Sequence, residues 1–306
     1  MSATQSGRII FITGGSGGLG RSVAKRFLSE GHTVVITGRT DAKLKQAVEW
    51  INPSNPKRLH TIILDLESLS SIRGAVESFK ALGFPTLDIL INNAGRTTVN
   101  HEFVADTKIV EKTIFANAVG PWYLTMLLRP SIPSGGRILF VTSSLHDPDM
   151  SGIFTGMSND QVKSPNLFNM LDGNTKFNGL AYYKISKLAT VWITYVMAKQ
   201  YPDLVINTMC PGFVPVTSLN RDQPWIFRAV LKFSRHLLSE SVTEEQSISE
   251  YVYYTTSEEL NGVTGVYFTH GKKSKSSKRS YNMKEATRFW NLACDICNTP
   301  KYNLEL

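Results

Sequence analysis

Cysteine is scarce: three residues in a chain of 306, too few for a disulfide framework in a protein of this length. Long apolar runs are missing too. The longest stretch without a charge, Leu204–Asn220, has 17 residues and is interrupted by Pro211, Gly212 and Pro215, so it is too short and too broken to span a membrane. No apolar segment near the N-terminus reads as a signal peptide, because a strand-like run begins at Ile9. Glycine and proline, 22 and 13 residues, are at ordinary levels, which excludes collagen-like and low-complexity chain. Metal-ligand spacing is absent as well. His32, His146 and His236 have no partners at such spacing and read as ordinary polar residues. The lone Cys294-x-x-Cys297 pair falls in a helical pattern and reads as packing, since a zinc site needs about four ligands. Together these absences predict a cytoplasmic protein of a reducing compartment, without a metal.

What is present is ample material for a core, 42% hydrophobic residues, and a formal charge of +8. The basic residues are scattered except in Lys272–Arg279, so the charge suits an anionic ligand or a negative membrane surface rather than a nucleic-acid partner. Short β-branched runs alternate with longer helical patterns. The strands expected are Ile9–Thr13, Thr33–Thr37, Thr61–Leu64, Asp88–Ile91, Arg137–Thr142, Val205–Met209 and Val266–Thr269. The helices expected between them include Leu19–Glu30, Asp41–Trp50, Leu69–Leu82, Ile109–Leu128 and Tyr182–Gln200. Near-continuous apolar strands alternating with helices argue for a mostly parallel sheet covered on both faces. The expectation is one α/β, doubly wound (Rossmann) domain over residues 1–306, with seven strands. Two stretches break the alternation. One is a long insertion at 146–179, rich in Asn, Ser, Gly and Pro. The other is a lid-like segment at 218–250, in which 223–238 has the pattern of a basic amphipathic helix: a lid, a peripheral membrane contact or plain core.

The first strand runs into Gly14-Gly15-Ser16-Gly17-Gly18-Leu19-Gly20. A strand, a glycine turn and a helix start offer free N–H groups and a positive helix end to a pyrophosphate. Taken alone the glycines fit three registers: GxGxxG (Gly15, Gly17, Gly20), TGxxGxxG (Gly14, Gly17, Gly20) and TGxxxGxG (Gly14, Gly18, Gly20). After the second strand stands Arg39, with Asp41 two residues on. An arginine there accommodates a 2′-phosphate where an acid would take ribose hydroxyls, which favours NADP(H) over NAD(H).

Thr13-Gly14-x-x-x-Gly18-x-Gly20, Asn92-Asn93-Ala94-Gly95, Asn117, Ser144, Tyr183-x-x-x-Lys187 and Pro211-Gly212 occur in that order. Together they resemble the short-chain dehydrogenase/reductase family, from about residue 8 to 217, and the resemblance selects the TGxxxGxG register. Within it, Gly179-Leu180-Ala181-Tyr182-Tyr183-Lys184-Ile185-Ser186-Lys187 and Cys210-Pro211-Gly212-Phe213 look toward the retinol-dehydrogenase-like and protochlorophyllide-reductase-like branch. Phe213 stands where the pigment reductases carry a cysteine, which speaks against photochemical double-bond reduction. The resemblance implies cofactor contacts at Gly14, Ser16, Gly18, Leu19, Gly20, Arg39, Asp65, Leu66, Asn93, Ala94, Gly95, Tyr183, Lys187, Pro211, Gly212, Val214 and Thr217. It also implies Asn117, Ser144, Tyr183 and Lys187 as the catalytic set.

A carbonyl that takes hydride becomes an alkoxide and needs a proton donor. Tyr183 has a lysine at i+4, on the same helix face, whereas Tyr182 has Ser186 there, so Tyr183 is the acid/base. An ammonium nearby favours phenolate and lowers the phenol pKa. Ser144 is expected to polarise the substrate carbonyl, with Ser143 and Thr142 as rivals, and Asn117 to hold a bend or a water extending the relay from Lys187. The function expected is NADPH-dependent reduction of a carbonyl on an apolar, ring-bearing or long-chain substrate. The alternatives are reduction of a conjugated C=C bond and a non-catalytic NADP(H)-binding regulator. In compact members of the family the tyrosine-bearing helix forms much of the subunit interface. An insertion entering it predicts a monomer, or a dimer built elsewhere.

Overall fold

Strands made of consecutive Val, Ile, Leu and Phe need cover on both faces, and the alternation of their side chains decides which residue meets which layer. The computed structural model describes residues 7–98, 100–107, 110–147, 167–170, 176–212 and 242–301. Strands β1 (Ile9–Ile12), β2 (Thr33–Gly38), β3 (Leu59–Ile63), β4 (Ile89–Asn92), β5 (Arg137–Val141), β6 (Val205–Cys210), β7 (Tyr267–Thr269) and β8 (Lys272–Ser274) form one sheet in the order β3-β2-β1-β4-β5-β6-β7-β8. The first seven are parallel. The order reverses between β1 and β4, and the carboxyl edge at that point is where doubly wound sheets bind ligands.

One face packs Phe11, Val35, Leu90, Ile138, Phe140 and Ile206 against helices α3 (Leu69–Ala81), α5 (Gly120–Leu128), α7 (Gly179–Gln200) and α9 (Met283–Cys297). Ile10, Ile12, Val34, Ile36, Ile91 and Leu139 point the other way, onto α1 (Gly18–Ser29), α2 (Asp41–Ile51) and α8 (Glu244–Thr256). Period-two alternation along each strand thus splits the core into two layers.

The sheet has eight strands where seven were expected. β8 pairs antiparallel with β7, across a tight turn in which His270 (φ 51°) and Gly271 (φ 73°) are both left-handed. That is the backbone a two-residue hairpin favours. Its residues Lys272-Lys273-Ser274 read in sequence only as part of a basic cluster. An edge strand, however, tolerates lysines, which also block edge-to-edge pairing. Residues 244–250, assigned by sequence to the lid-like segment, begin helix α8 instead. Thr243 and Gln246 form its capping box, and Ile248, Tyr251 and Tyr254 are buried in the core. The amphipathic 223–238 segment lies outside the described residues, as do 148–166 and 171–175 of the insertion. Leu167 and Met170, in the short helix α6 (Leu167–Met170), are buried.

The helix expected at 109–128 is built in three pieces. It starts at α4 (Lys112–Ile114), where the buried Glu111 carboxylate accepts the N–H groups of Thr113 and Ile114. It widens into a π-helical turn over Phe115–Val119 and continues as α5. Helix α7 starts at Gly179, capped by the Asn178 side chain, and every residue from Ala181 to Ala198 is buried. The C-terminal helix α9 covers it: Phe289 lies against Trp192, and Trp290 meets Trp122 of α5 edge-on at 5.3 Å. Cys294 and Cys297 are unpaired and buried on α9. Among the described residues no helix is long and apolar enough to cross a membrane.

Candidate active site

The turn after β1 needs glycine at defined places. Gly14 (φ 69°) and Gly18 (φ 53°) are left-handed, a region L side chains adopt only with strain. A Cβ on Gly20 would lie 2.5 Å from Asn93 Nδ2 and 2.7 Å from the Gly14 carbonyl oxygen. One on Gly17 would meet nothing within 4 Å, and its backbone is extended. The backbone therefore demands Gly14, Gly18 and Gly20, the TGxxxGxG set. Gly15 is confined as well, by Ile36. Gly17 offers no side chain to cap α1, whereas Thr40, Ser68, Asn178, Thr243 and Asn282 cap α2, α3, α7, α8 and α9. An uncapped helix start of this kind presents N–H donors and a positive dipole end, which suits a phosphate.

Around that turn the carboxyl ends of the strands are tied together by side chains. Asn93 Nδ2 donates to the Thr13 carbonyl at 2.9 Å, and its Oδ1 accepts from the Tyr251 hydroxyl at 2.9 Å. The Ala94 N–H donates to Thr13 Oγ1 at 2.9 Å. Ser16 sits against Gly38, where a Cβ would come within 2.8 Å of it, so Ser16 and the exposed Arg39 flank the end of β2. Asp41 is engaged elsewhere, by Lys45 at 2.7 Å on the surface of α2. Asp65 shapes the turn after β3: its N–H donates to Ser71 Oγ, and its carboxylate accepts the Glu67 N–H at 3.0 Å. Leu66 beside it is buried. Pro211 and the left-handed Gly212 follow β6 directly. Val214 and Thr217 lie outside the described residues.

Tyr183 and Lys187 converge beneath this edge. The Lys187 ammonium donates to the Val141 carbonyl at 2.9 Å and lies 5.7 Å from the centre of the Tyr183 ring. It also sits 3.2 Å from where a Gly95 Cβ would be, so Gly95 keeps the lysine reachable from the cofactor side. Tyr182 faces away, in an aromatic cluster with His101 and Phe177. Burial pushes the Tyr183 phenol well above its usual range, opposed by the Ser143 hydroxyl, and pulls Lys187 down to about 8. The expected direction for the phenol is downward; desolvation is the largest influence on it instead, and the ammonium is turned to a backbone carbonyl.

Of the serines after β5, Ser143 bears on the Tyr183 phenol, and Ser144, expected to polarise the substrate carbonyl, faces Cys210. The three candidates after β5 point in three directions. Thr142 donates to the Lys187 carbonyl at 2.8 Å. Ser143 reaches the Tyr183 phenol. Ser144 turns to Cys210, its N–H meeting Sγ at 3.1 Å and its hydroxyl lying by the thiol. The reason is local: Ser143 is the N-cap of a 3-10 turn over Ser144–His146, accepting the Leu145 N–H, which rotates the next residue away.

Asn117 lies within the π turn. Its Oδ1 accepts from the Arg96 N–H at 2.8 Å, while Nδ2 donates to the Arg96 carbonyl and to Ser186 Oγ, at 2.9 and 3.0 Å. Arg96 is one residue that sequence reasoning missed, and its position directly after Asn92-Asn93-Ala94-Gly95 was the available signal. Glu67 is another: it pairs with Arg96 and lies 3.9 Å from Arg39. Among the described residues no group of three or more His, Cys, Asp or Glu is placed to hold a metal.

Comparison with known proteins agrees with this geometry. The short chain dehydrogenase family model matches residues 8–152. Human polyprenol dehydrogenase is 29% identical over 300 residues, covering 94% of this chain and 84% of that protein. Over most of its length the chain is similar to the short-chain dehydrogenase/reductase family. It is an enzyme, and its fold is shared with solved structures. An uncharacterised Mycobacterium paratuberculosis protein superposes with a TM-score of 0.65 at 24% identity, covering 98% of this chain and 95% of its own. A Burkholderia cenocepacia short chain dehydrogenase in complex with NADP gives 0.64 at 22%, covering 87% and 96%.

The glycine geometry makes a direct prediction. Gly17→Ala should leave stability within about 0.5 kcal/mol of wild type. Gly20→Ala should cost about 1–3 kcal/mol through overpacking against Asn93 and the Gly14 carbonyl. Urea unfolding of both variants checks this, and equal losses would show that the TGxxxGxG assignment is wrong.

Proposed function

We propose that the chain is an NADP(H)-dependent oxidoreductase that reduces the carbonyl of an apolar, long-chain or ring-bearing substrate, with Tyr183 as acid/base. The observation that carries this reading is the convergence of Tyr183, Lys187, Ser143 and Asn117 at the carboxyl edge of β4 and β5, beside the glycine turn. The turn from Gly14 to Gly20 and the start of α1 hold the phosphates, with Leu19 on that first helical turn. Ser16 and Arg39 take the 2′-phosphate. Asp65 and Leu66 border the adenine, and Asn93, Ala94, Gly95, Pro211 and Gly212 line the nicotinamide side. NADPH supplies the hydride. The protein's part is to hold the substrate oxygen and give it a proton.

A phenol kept protonated by burial is a donor first, which fits reduction better than oxidation at neutral pH. Ser143 places a second donor on the oxygen where negative charge develops. Lys187 orients the nicotinamide ribose and resupplies charge next to Tyr183, and Asn117 fixes the helix that carries both. The polyprenol dehydrogenase relative is named for a long isoprenoid alcohol, which makes isoprenoid aldehydes the first substrates to try. Because α9 covers α7 within the chain, the active form is a monomer, or a dimer through another surface.

A panel of farnesal, a cyclic ketone, a quinone and an enone, with NADPH loss followed by absorbance, tests the reading. Tyr183→Phe should lower turnover by about 10²–10⁴-fold while NADPH still binds. Ser143→Ala should lose about 10²–10³-fold, and Ser144→Ala far less. Equal losses in the two serine variants, or activity confined to the enone, would overturn the assignment.

Arg39→Ala should weaken NADPH binding by about tenfold, one charge-assisted contact at a half-exposed site, with NADH binding unchanged. Parallel losses for both nucleotides would show that Arg39 does not read the 2′-phosphate.

With Lys187 held to about 8, the ammonium is present below that pH and lost above it. Reduction should therefore fall as pH rises through about 8, and Lys187→Met should be impaired on both sides of that value. A wild-type rate that stays flat to high pH would rule out a charged Lys187 in the reaction.

A further inference from the structure

We propose that His146 is a positioning residue for hydride transfer, a strut that fixes Ser143 against Tyr183 by tying the serine turn to the C-terminal turn at 276–280. The inference rests on the reductase reading given above and assigns a role to a buried group which that reading leaves unused.

His146 is 4% exposed, and both ring nitrogens are engaged. Nε2 accepts the Ser277 N–H at 3.0 Å, so the ring proton sits on Nδ1, which then donates to the Ser143 carbonyl at 2.7 Å. One backbone donor and one backbone acceptor, 134 residues apart in the chain, thus select a single neutral tautomer and a single ring orientation. The ring also packs on Tyr267 of β7, with centroids 5.0 Å apart.

The far anchor is itself held to the catalytic helix. The Tyr195 hydroxyl and Ser276 Oγ are 2.6 Å apart, and so are Ser276 Oγ and Ser280 Oγ. Ser280 in turn donates its N–H to the Ser277 carbonyl at 3.0 Å. The 276–280 turn therefore braces α7 through Tyr195 and the Ser143 turn through His146, so that serine and tyrosine are placed from one reference. Positioned donors lose most of their effect when displaced by even an ångström.

Two variants separate this role from simple packing. His146→Leu keeps an apolar group on Tyr267 and removes both hydrogen bonds, whereas His146→Gln can still accept from Ser277 and donate to Ser143. With NADPH and farnesal, His146→Leu should lose about 100-fold in kcat, the scale of a lost positioned donor, with NADPH binding near wild type and the unfolding midpoint lowered by the unpaired Ser277 N–H. His146→Gln should recover most of the loss. A second readout needs no turnover. Ser144 covers the Cys210 thiol, so iodoacetamide labelling of Cys210, mapped by mass, should be about tenfold faster in His146→Leu through local opening, and near wild type in His146→Gln. Unchanged kcat or unchanged labelling in His146→Leu would overturn the proposal, as would a Gln variant no better than Leu. Wild-type inactivity toward every carbonyl of the panel would sink the reductase reading instead, and the labelling contrast would still decide the strut.

Discussion

The side chain of Asn117 joins the two halves of the site, and the rest of the arrangement depends on it. Its amide is bonded to both backbone groups of Arg96, at the end of the cofactor edge, and to Ser186, which sits on α7 between Tyr183 and Lys187. An amide with 2% exposure must satisfy its polar atoms inside the protein, because each buried group left unpaired costs about 1–3 kcal/mol. That requirement, rather than shape alone, locks the β4 loop to the catalytic helix. The π turn at Phe115–Val119 makes the contact possible. Pro121, four residues on, has no N–H to give the Asn117 carbonyl, and the Thr190 hydroxyl of α7 donates to it at 3.1 Å.

Burial acts on both titratable groups of the site. Tyr183 and Lys187 lie deep under the sheet edge, so both charged forms are disfavoured: the phenol is pushed up and the ammonium pulled down. The two shifts act together. A protonated phenol next to an amine that readily changes charge is a proton donor with a nearby source of protons, while the Ser143 hydroxyl is the one neighbour that favours phenolate. The sequence spacing of tyrosine and lysine suggests a lysine that acts on the phenol by its charge. The folded protein instead spends the ammonium's hydrogen bond on the Val141 carbonyl, holding it in reserve at the mouth formed by Gly95.

Most of the fold was legible because a doubly covered parallel sheet forces its strands to be apolar throughout, and runs such as Ile9–Ile12 and Arg137–Val141 have no other reading. The glycine spacing alone leaves three registers open, the later motifs select TGxxxGxG, and the backbone gives the reason: Gly18 is left-handed, whereas Gly17 is extended with open space around it. β8 was hidden because Lys272 and Lys273 are chosen for an edge exposed to water and carry no apolar signal. The choice between Ser143 and Ser144 was hidden for a different reason. The 3-10 turn that Ser143 caps turns the two hydroxyls apart, and the Cys210 thiol that receives Ser144 comes from 66 positions further along the chain. The Arg39–Glu67 approach likewise joins the ends of two neighbouring strands, which only the sheet order brings together.

The C-terminal segment explains how a helix as apolar as α7 can exist in a chain folded alone. A helix buried from Ala181 to Ala198 on every face needs a covering layer all round. The sheet supplies one side and α5 another. One side of α7 remains. Here α9 lies across it, with Phe289 on Trp192 and Trp290 on Trp122, while the Trp192 indole donates to the Arg279 carbonyl at 3.2 Å and Tyr281 stacks on Tyr195. That face of α7 is therefore covered within the chain, by residues 276–297, which bear directly on the helix that carries Tyr183 and Lys187.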